Sequence, residues 1–137
     1  MRVLLDTNVL VSALITSDTP PDLIYRAWRK QAFDLISCEE QLIEIERVLA
    51  YPKLQRFVRE SEAVLLLSGL RRRAVIVRVR DVEHFTEDPA DNILIAAALA
   101  GDCDYLVSGD KQHMQGLAPD HSMAVLSPAK FLERLAP

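Results

Sequence analysis

The segment Arg2-Val3-Leu4-Leu5-Asp6-Thr7-Asn8-Val9-Leu10-Val11-Ser12-Ala13-Leu14 opens with an apolar run, Val3 to Leu5, that reads as a short buried strand. Asp6 ends that run, and the apolar residues from Val9 to Leu14 begin a helix. A carboxylate therefore stands where a buried strand stops. Ligand crevices of open α/β sheets lie outside the carboxyl ends of the strands, so this acid is placed for chemistry. The arrangement recurs: Tyr105, Leu106 and Val107 read as a second short strand, and Ser108 and Gly109 lead directly to Asp110. In a parallel sheet these strands bring Asp6 and Asp110 to one edge, which points to an acidic, metal-binding pocket.

Outward from that segment, short apolar runs alternate with amphipathic stretches, the pattern of an α/β domain with a central, mainly parallel sheet. Strands are expected at residues 2–5, 33–37, 74–79, 105–107 and 124–126. Helices are expected at residues 22–31 after the Pro20-Pro21 punctuation, at 39–51 up to Pro52, at 54–59, 61–73 and 89–100, and beyond Pro128. The 137 residues suit one domain with one core, and no linker, repeat or low-complexity tract interrupts them.

Hydrophobic residues make up 50% and charged residues 26%, a globular balance. The formal net charge of −4 excludes whole-molecule attraction to a polyanion, so any nucleic acid has to meet a local basic patch. Cys38 and Cys103 have no C-x-x-C spacing and supply neither a disulfide framework nor a zinc site. The longest apolar stretch, residues 93–100, falls far below the ~18 to 20 residues that a bilayer span needs. The chain opens on a strand rather than on a basic stretch followed by an apolar one, so no signal peptide is expected. The expected setting is a reducing cytoplasm, away from membranes.

Each acid also has an ordinary structural reading. Asp6 and Asp110 can be turn residues that bond nearby backbone, and Gly109 fits a plain exit from a strand. Asp88 is placed to cap the helix that Pro89 opens, and Asp91 to be the reciprocal acid of a capping box. In the first turn Asp91 also faces the positive end of the helix dipole, which favours the ionised form a metal ligand needs. Glu44 lies at the edge of the apolar face formed by Leu42, Ile45, Val48 and Leu49, but periodicity alone does not separate it from Glu46 or Glu40. The reason to group these acids is electrostatic: carboxylates that converge without lysines repel one another unless a cation neutralises them, and Mg²⁺ and Mn²⁺ prefer oxygen ligands. Cations held this way can activate water and stabilise the attacking and leaving oxygens of phosphodiester cleavage.

The segment from Leu5 to Leu14, Glu44-Ile45 before Val48-Leu49, Asp88-Pro89-Ala90-Asp91-Asn92 and Ser108-Gly109-Asp110 together resemble the PIN-domain family, most closely its toxin-like branch related to VapC ribonuclease toxins. The likeness continues to Leu126-Ser127-Pro128-Ala129-Lys130-Phe131-Leu132, so it spans nearly the whole chain. It implies a three-layer α/β/α PIN-like fold and a single nuclease domain over residues 1–137. It also implies Mg²⁺- or Mn²⁺-dependent endoribonuclease activity, often as the toxin of a type II toxin–antitoxin system. Position by position it implies Asp6, Glu44, Asp91 and Asp110 as the catalytic, metal-holding acids, and this register, not periodicity, selects Glu44 over Glu46. Asn8 and Ser108 match polar positions that orient the acids or bound water, with Thr7 beside them and Asp88 as an accessory. The chain departs from the family pattern after Asp110, where Lys111-Gln112-His113-Met114 replace an expected acid and leucines; this bears on the substrate groove more than on the metal centre. RNA as substrate, a cognate antitoxin protein and a homodimer are further implications of the likeness.

Arg71, Arg72 and Arg73 at a helix end, with Arg78 and Arg80 after a strand, read as a solvated face that complements the helix dipole, or as contacts to RNA phosphates. Arg26, Arg29 and Lys30 offer a second basic face. His84, His113 and His121 are isolated, without a ligand set or base partner. Two other functions compete: a non-catalytic PIN-scaffold module that binds RNA or protein, and a phosphatase with Asp6 as covalent nucleophile. Asn8 counts against the phosphatase, because haloacid-dehalogenase-like phosphatases have a second acid in an Asp-x-Asp arrangement there.

Overall fold

The computed structural model describes residues 1–109 and 123–136. Its strands are β1 Arg2–Leu5, β2 Asp34–Ser37, β3 Val75–Ile76, β4 Tyr105–Val107 and β5 Ala124–Leu126. Its helices are α1 Thr7–Ile15, α2 Pro20–Arg29, α3 Glu39–Leu49, α4 Pro52–Gln55, α5 Glu60–Arg73, α6 Pro89–Ala100 and α7 Pro128–Leu135. Among the described residues the sheet order is β3-β2-β1-β4-β5, and every strand pairing is parallel.

The register explains why the strands read as unbroken apolar runs. Val3 lies opposite Leu35, while Leu4 lies opposite both Ile36 and Leu106. Val3, Leu5, Leu35 and Val107 enter one core with Leu10 of α1, Ile24 and Trp28 of α2, Leu42 and Ile45 of α3, Leu66 and Leu70 of α5 and Phe131 of α7. Leu4, Ile36 and Leu106 enter a second core with Leu94, Ile95, Ala97 and Ala98 of α6. Alternate residues of one strand are thus buried against opposite helical layers, which makes a three-layer α/β/α fold. Gly101 matters to the second layer: a Cβ there would fall 2.5 Å from Ile36 Cγ2, so the end of α6 approaches β2 as closely as only glycine permits.

Element boundaries depart from the periodicity in instructive places. α1 begins at Thr7, not Val9, because the Asp6 carbonyl already accepts from the amides of Val9 and Leu10 at 3.0 and 3.2 Å. Pro20 and Pro52 open α2 and α4 instead of preceding them; proline is pre-organised for the first helical turn, where its missing N–H costs nothing. The strand expected over residues 74–79 shrinks to Val75–Ile76 at the sheet edge. Val77 adds one further bond, to the Ser37 carbonyl at 2.8 Å, and there its partner strand has ended. Among the described residues no helix is long and apolar enough to cross a membrane.

Candidate metal centre

β1 has β2 and β3 on one side and β4 and β5 on the other, so the connections leave the β1–β4 boundary in opposite directions. Such a switch point opens a crevice at the carboxyl ends of its strands. Asp6 follows β1 and Ser108 follows β4 at that boundary, and the two meet: Ser108 Oγ donates to Asp6 Oδ2 at 2.9 Å in buried surroundings. The Asp6 amide donates to the Val107 carbonyl at 2.8 Å. The Asp6 side chain is therefore fixed by the same strand that fixes its backbone.

Asp6 is only 7% exposed, and this burial pushes its carboxyl pKa up. The Ser108 hydrogen bond and the backbone N–H of Asn8 pull it back down, the nearby Glu44 charge raises it, and the Thr7 N–H lowers it again. Glu44, half-buried on α3, accepts from Thr7 Oγ1, whereas Glu46 and Glu40 are exposed. Helical side chains lean toward the helix N-terminus, here the end that leaves β2, and this brings Glu44 back toward the crevice. Asn8 lies exposed at the rim.

α6 closes the crevice from the other layer. It joins β3 to β4 in a parallel sheet, so its N-terminus lies at the carboxyl edge of the strands. Asp88 caps it, accepting from the Ala90 amide at 2.9 Å, and Asp91 stands half-buried in the first turn. The turn before the helix is held by Asn92, a buried residue. Its Oδ1 accepts from the Thr86 amide at 2.7 Å and its Nδ2 donates to the Thr86 carbonyl at 3.0 Å. Thr86 Oγ1 in turn accepts from the Asp88 amide at 3.1 Å, filling the place a capping-box acid would take.

Asp6 and Glu44 are thus brought together, and Asp91 and Asp88 occupy the adjoining edge; Asp110 lies outside the described residues. Among the described residues Asp18, Asp22 and Glu39 pair with arginines, whereas no cationic side chain pairs with Asp6 or Glu44. No group of three or more acid, histidine or cysteine side chains among those residues converges to hold a metal ion. The donors present are all oxygens, which suits a hard divalent cation rather than zinc or copper.

A family model of the PIN domain matches residues 2–112, most of the chain, from β1 past Asp110. The chain belongs to the PIN-domain family. No curated protein matches it.

In this PIN domain several arginines that could meet a polyanion are already engaged. Arg71 forms a two-pronged pair with Glu39 at 3.2 and 3.3 Å, and the Arg73 guanidinium sits 5.2 Å from the Trp28 ring centre. Arg26 pairs with Asp22 at 2.9 Å, and Arg29 lies over Tyr25. Arg72, Arg78 and Arg80 are exposed, and Arg78 lines a shallow cleft with Glu39, Glu40 and Ile76. His113 and His121 lie outside the described residues, and His84 is exposed beside Glu87. Nothing in the sequence alone gives Asn92, Thr86 or Gln41 a role. Asn92 stood within the quoted acidic motif, but nothing in composition marked Gln41, a polar residue on a polar-rich helix.

Proposed function

We propose that this PIN domain is an Mg²⁺- or Mn²⁺-dependent endoribonuclease related to VapC, acting as the toxin of a type II toxin–antitoxin system and working as one domain over residues 1–137. PIN domains are in general nucleases that use divalent cations. The observation that carries the reading is the Asp6–Glu44 pair at the sheet's switch point: two neighbouring carboxylates, one buried, with no cationic side chain against them among the described residues. A divalent cation bound between the two would offset their repulsion.

By the family register Asp6, Glu44, Asp91 and Asp110 would hold the ion; of the described acids, Asp6 and Glu44 are the two already neighbours. A bound divalent cation supplies charge to phosphate oxygens and acidifies water for attack on phosphorus. The chain's own part is positional. Ser108 and the α1 amides offset part of the burial that opposes charge on Asp6, Thr7 orients Glu44, and Asp91 stands in the first turn of α6. Of the arginines at residues 71–80, Arg72, Arg78 and Arg80 are exposed cations that could meet RNA phosphates, and single-stranded or looped RNA exposes the bases a nuclease could read. A homodimer and a cognate antitoxin that covers the acidic crevice complete the proposal.

Purified protein incubated with a panel of structured RNAs in Mg²⁺, Mn²⁺ or EDTA, beside a folded Asp6→Asn variant, tests this directly. Metal-dependent cleavage that the variant lacks is the expected result. RNA retained by the wild type with no metal binding and no cleavage would sink the nuclease reading in favour of a PIN-scaffold binding module.

A further inference from the structure

We propose that Gln41 is a positioning residue of this centre, setting the peptide that carries Asp6 and its spacing from Glu44; the inference rests on the nuclease reading above. Gln41 is 2% exposed. Its Nε2 donates to the Leu5 carbonyl at 2.7 Å, and its Oε1 accepts from Ser37 Oγ at 2.6 Å, both in buried surroundings. The Leu5 carbonyl fixes the amide's orientation, since it can only accept and so must face the NH₂ group, which leaves Oε1 to accept from the Ser37 hydroxyl.

The Leu5 carbonyl and the Asp6 amide belong to one peptide plane. On the β4 side that plane is held by the amide bond to Val107; on the β2 side the ladder has run out, because its last rung pairs Leu4 with Ile36 and the chain then turns into α3. Gln41 supplies the missing rung from a side chain. Held on both sides, the plane cannot rotate about the strand axis, and rotation there would swing the Asp6 carboxylate out of the crevice.

Gln41 also stands one helical turn before Glu44, and residues at that spacing share a face. Two side chains of α3 therefore grip consecutive pieces of the same junction: Gln41 takes the Leu5 carbonyl, and Glu44 takes the Thr7 hydroxyl. The position of α3 relative to Asp6 is set by the first grip and used by the second. Losing the support of a ligand-bearing segment costs metal sites about 10- to 100-fold in affinity or activity.

The test compares wild type, Gln41→Met, Ser37→Ala and a core variant remote from the crevice, Phe131→Leu, chosen to lower thermal stability comparably. Mn²⁺ affinity is measured by calorimetry, kcat and KM on a cleaved RNA, and hydrogen exchange at the Asp6 amide without metal. Gln41→Met is expected to weaken Mn²⁺ binding and kcat by about 10- to 100-fold with KM little changed. Exchange at Asp6 should rise at least about tenfold above that in Phe131→Leu, and Ser37→Ala, which removes the amide's anchor at Oε1 and leaves its bond to Leu5, should show the same losses in smaller measure. If Gln41→Met matches Phe131→Leu in metal affinity, kcat and Asp6 exchange, Gln41 is an ordinary buried polar residue and the inference falls. Should Gln41→Met fail to fold, the contrast between Ser37→Ala and Phe131→Leu decides in the same way. A wild type that neither binds Mn²⁺ nor cleaves RNA defeats the nuclease reading instead, and the Asp6 exchange rates still report whether Gln41 holds the peptide.

Discussion

On the β1 side of the crevice Ser108 reaches Asp6 across 102 positions and Thr7 reaches Glu44 across 37, whereas on the α6 side Asp88 caps Ala90 two positions on and Asn92 grips Thr86 six positions back. The first set exists only once the sheet has assembled; the second can form as the helix does. The two sides also differ in sign. Burial works against the charge on Asp6, while the carboxylate of Asp88 satisfies a free helix amide. One side of the centre opposes the stability of the fold and the other adds to it, so neutralising acids on the two sides should move stability in opposite directions.

Asp6→Asn presses hardest on that contrast. Cleavage should fall on the order of 10³-fold or more, the scale seen when an essential catalytic group is removed. Stability should rise at neutral pH. Burial raises the folded pKa of Asp6 above the ordinary aspartate value of 3.8, so between the unfolded and folded values the native state holds the extra proton. Wild-type stability from this group therefore declines as pH climbs through that window and stays reduced above it. Denaturant unfolding without divalent ions, at neutral and acidic pH, should find Asp6→Asn the more stable protein at neutral pH, with the advantage shrinking on acidification. An Asn variant less stable at neutral pH would mean that the Ser108 bond outweighs burial.

Divalent ions should reverse the same term. At a free Mn²⁺ concentration near 100 times the dissociation constant, ligand linkage stabilises wild type by about 2.7 kcal/mol. Asp6→Asn should show little of this gain in thermal melts. An equal metal-induced rise in both proteins would place the ion elsewhere.

Glu44 and Glu46 sharpen the comparison within one helix. Glu44→Gln should lower Mn²⁺ affinity and cleavage by roughly 10- to 100-fold, while Glu46→Gln, altering an exposed side chain, leaves both close to wild type. Parallel calorimetry and RNA cleavage on the two variants check it; equal losses would mean that the Thr7 contact does not select the ligand.

The same division governs what the sequence alone reveals. The alternating burial of Leu4 and Leu5 follows from their apolar run, and the Asp88-Pro89 cap follows from a local rule, so the layers and the α6 start were legible. Glu44 could not be told from Glu46 by helical phase; what separates them is the Thr7 hydroxyl on another element. Gln41 was invisible because its partners, Leu5 and Ser37, become neighbours only when β1 and β2 pair. The edge strand is shorter than its sequence suggests for the converse reason: residues 74–79 have strand chemistry, but a strand extends only while its neighbour does, and β2 stops at Ser37.

The smallest expected effect lies on the α6 side. Asp88→Ala removes the acceptor for the Ala90 amide and should lower stability by about 1 kcal/mol, as cap losses do, with a loss of cleavage of a few-fold from a looser first turn around Asp91. Asp88→Asn keeps an acceptor in the cap but not the charge, so it should stay near wild type in denaturant unfolding. If the Asn variant also keeps wild-type cleavage, Asp88 serves the site only through the helix end it holds. If cleavage falls in Asn as far as in Ala while stability is retained, the charge itself contributes, and Asp88 joins Asp91 as an acid of the centre. The contrast between the two sides would then fail at this residue, since one carboxylate would both cap the helix and face the ion.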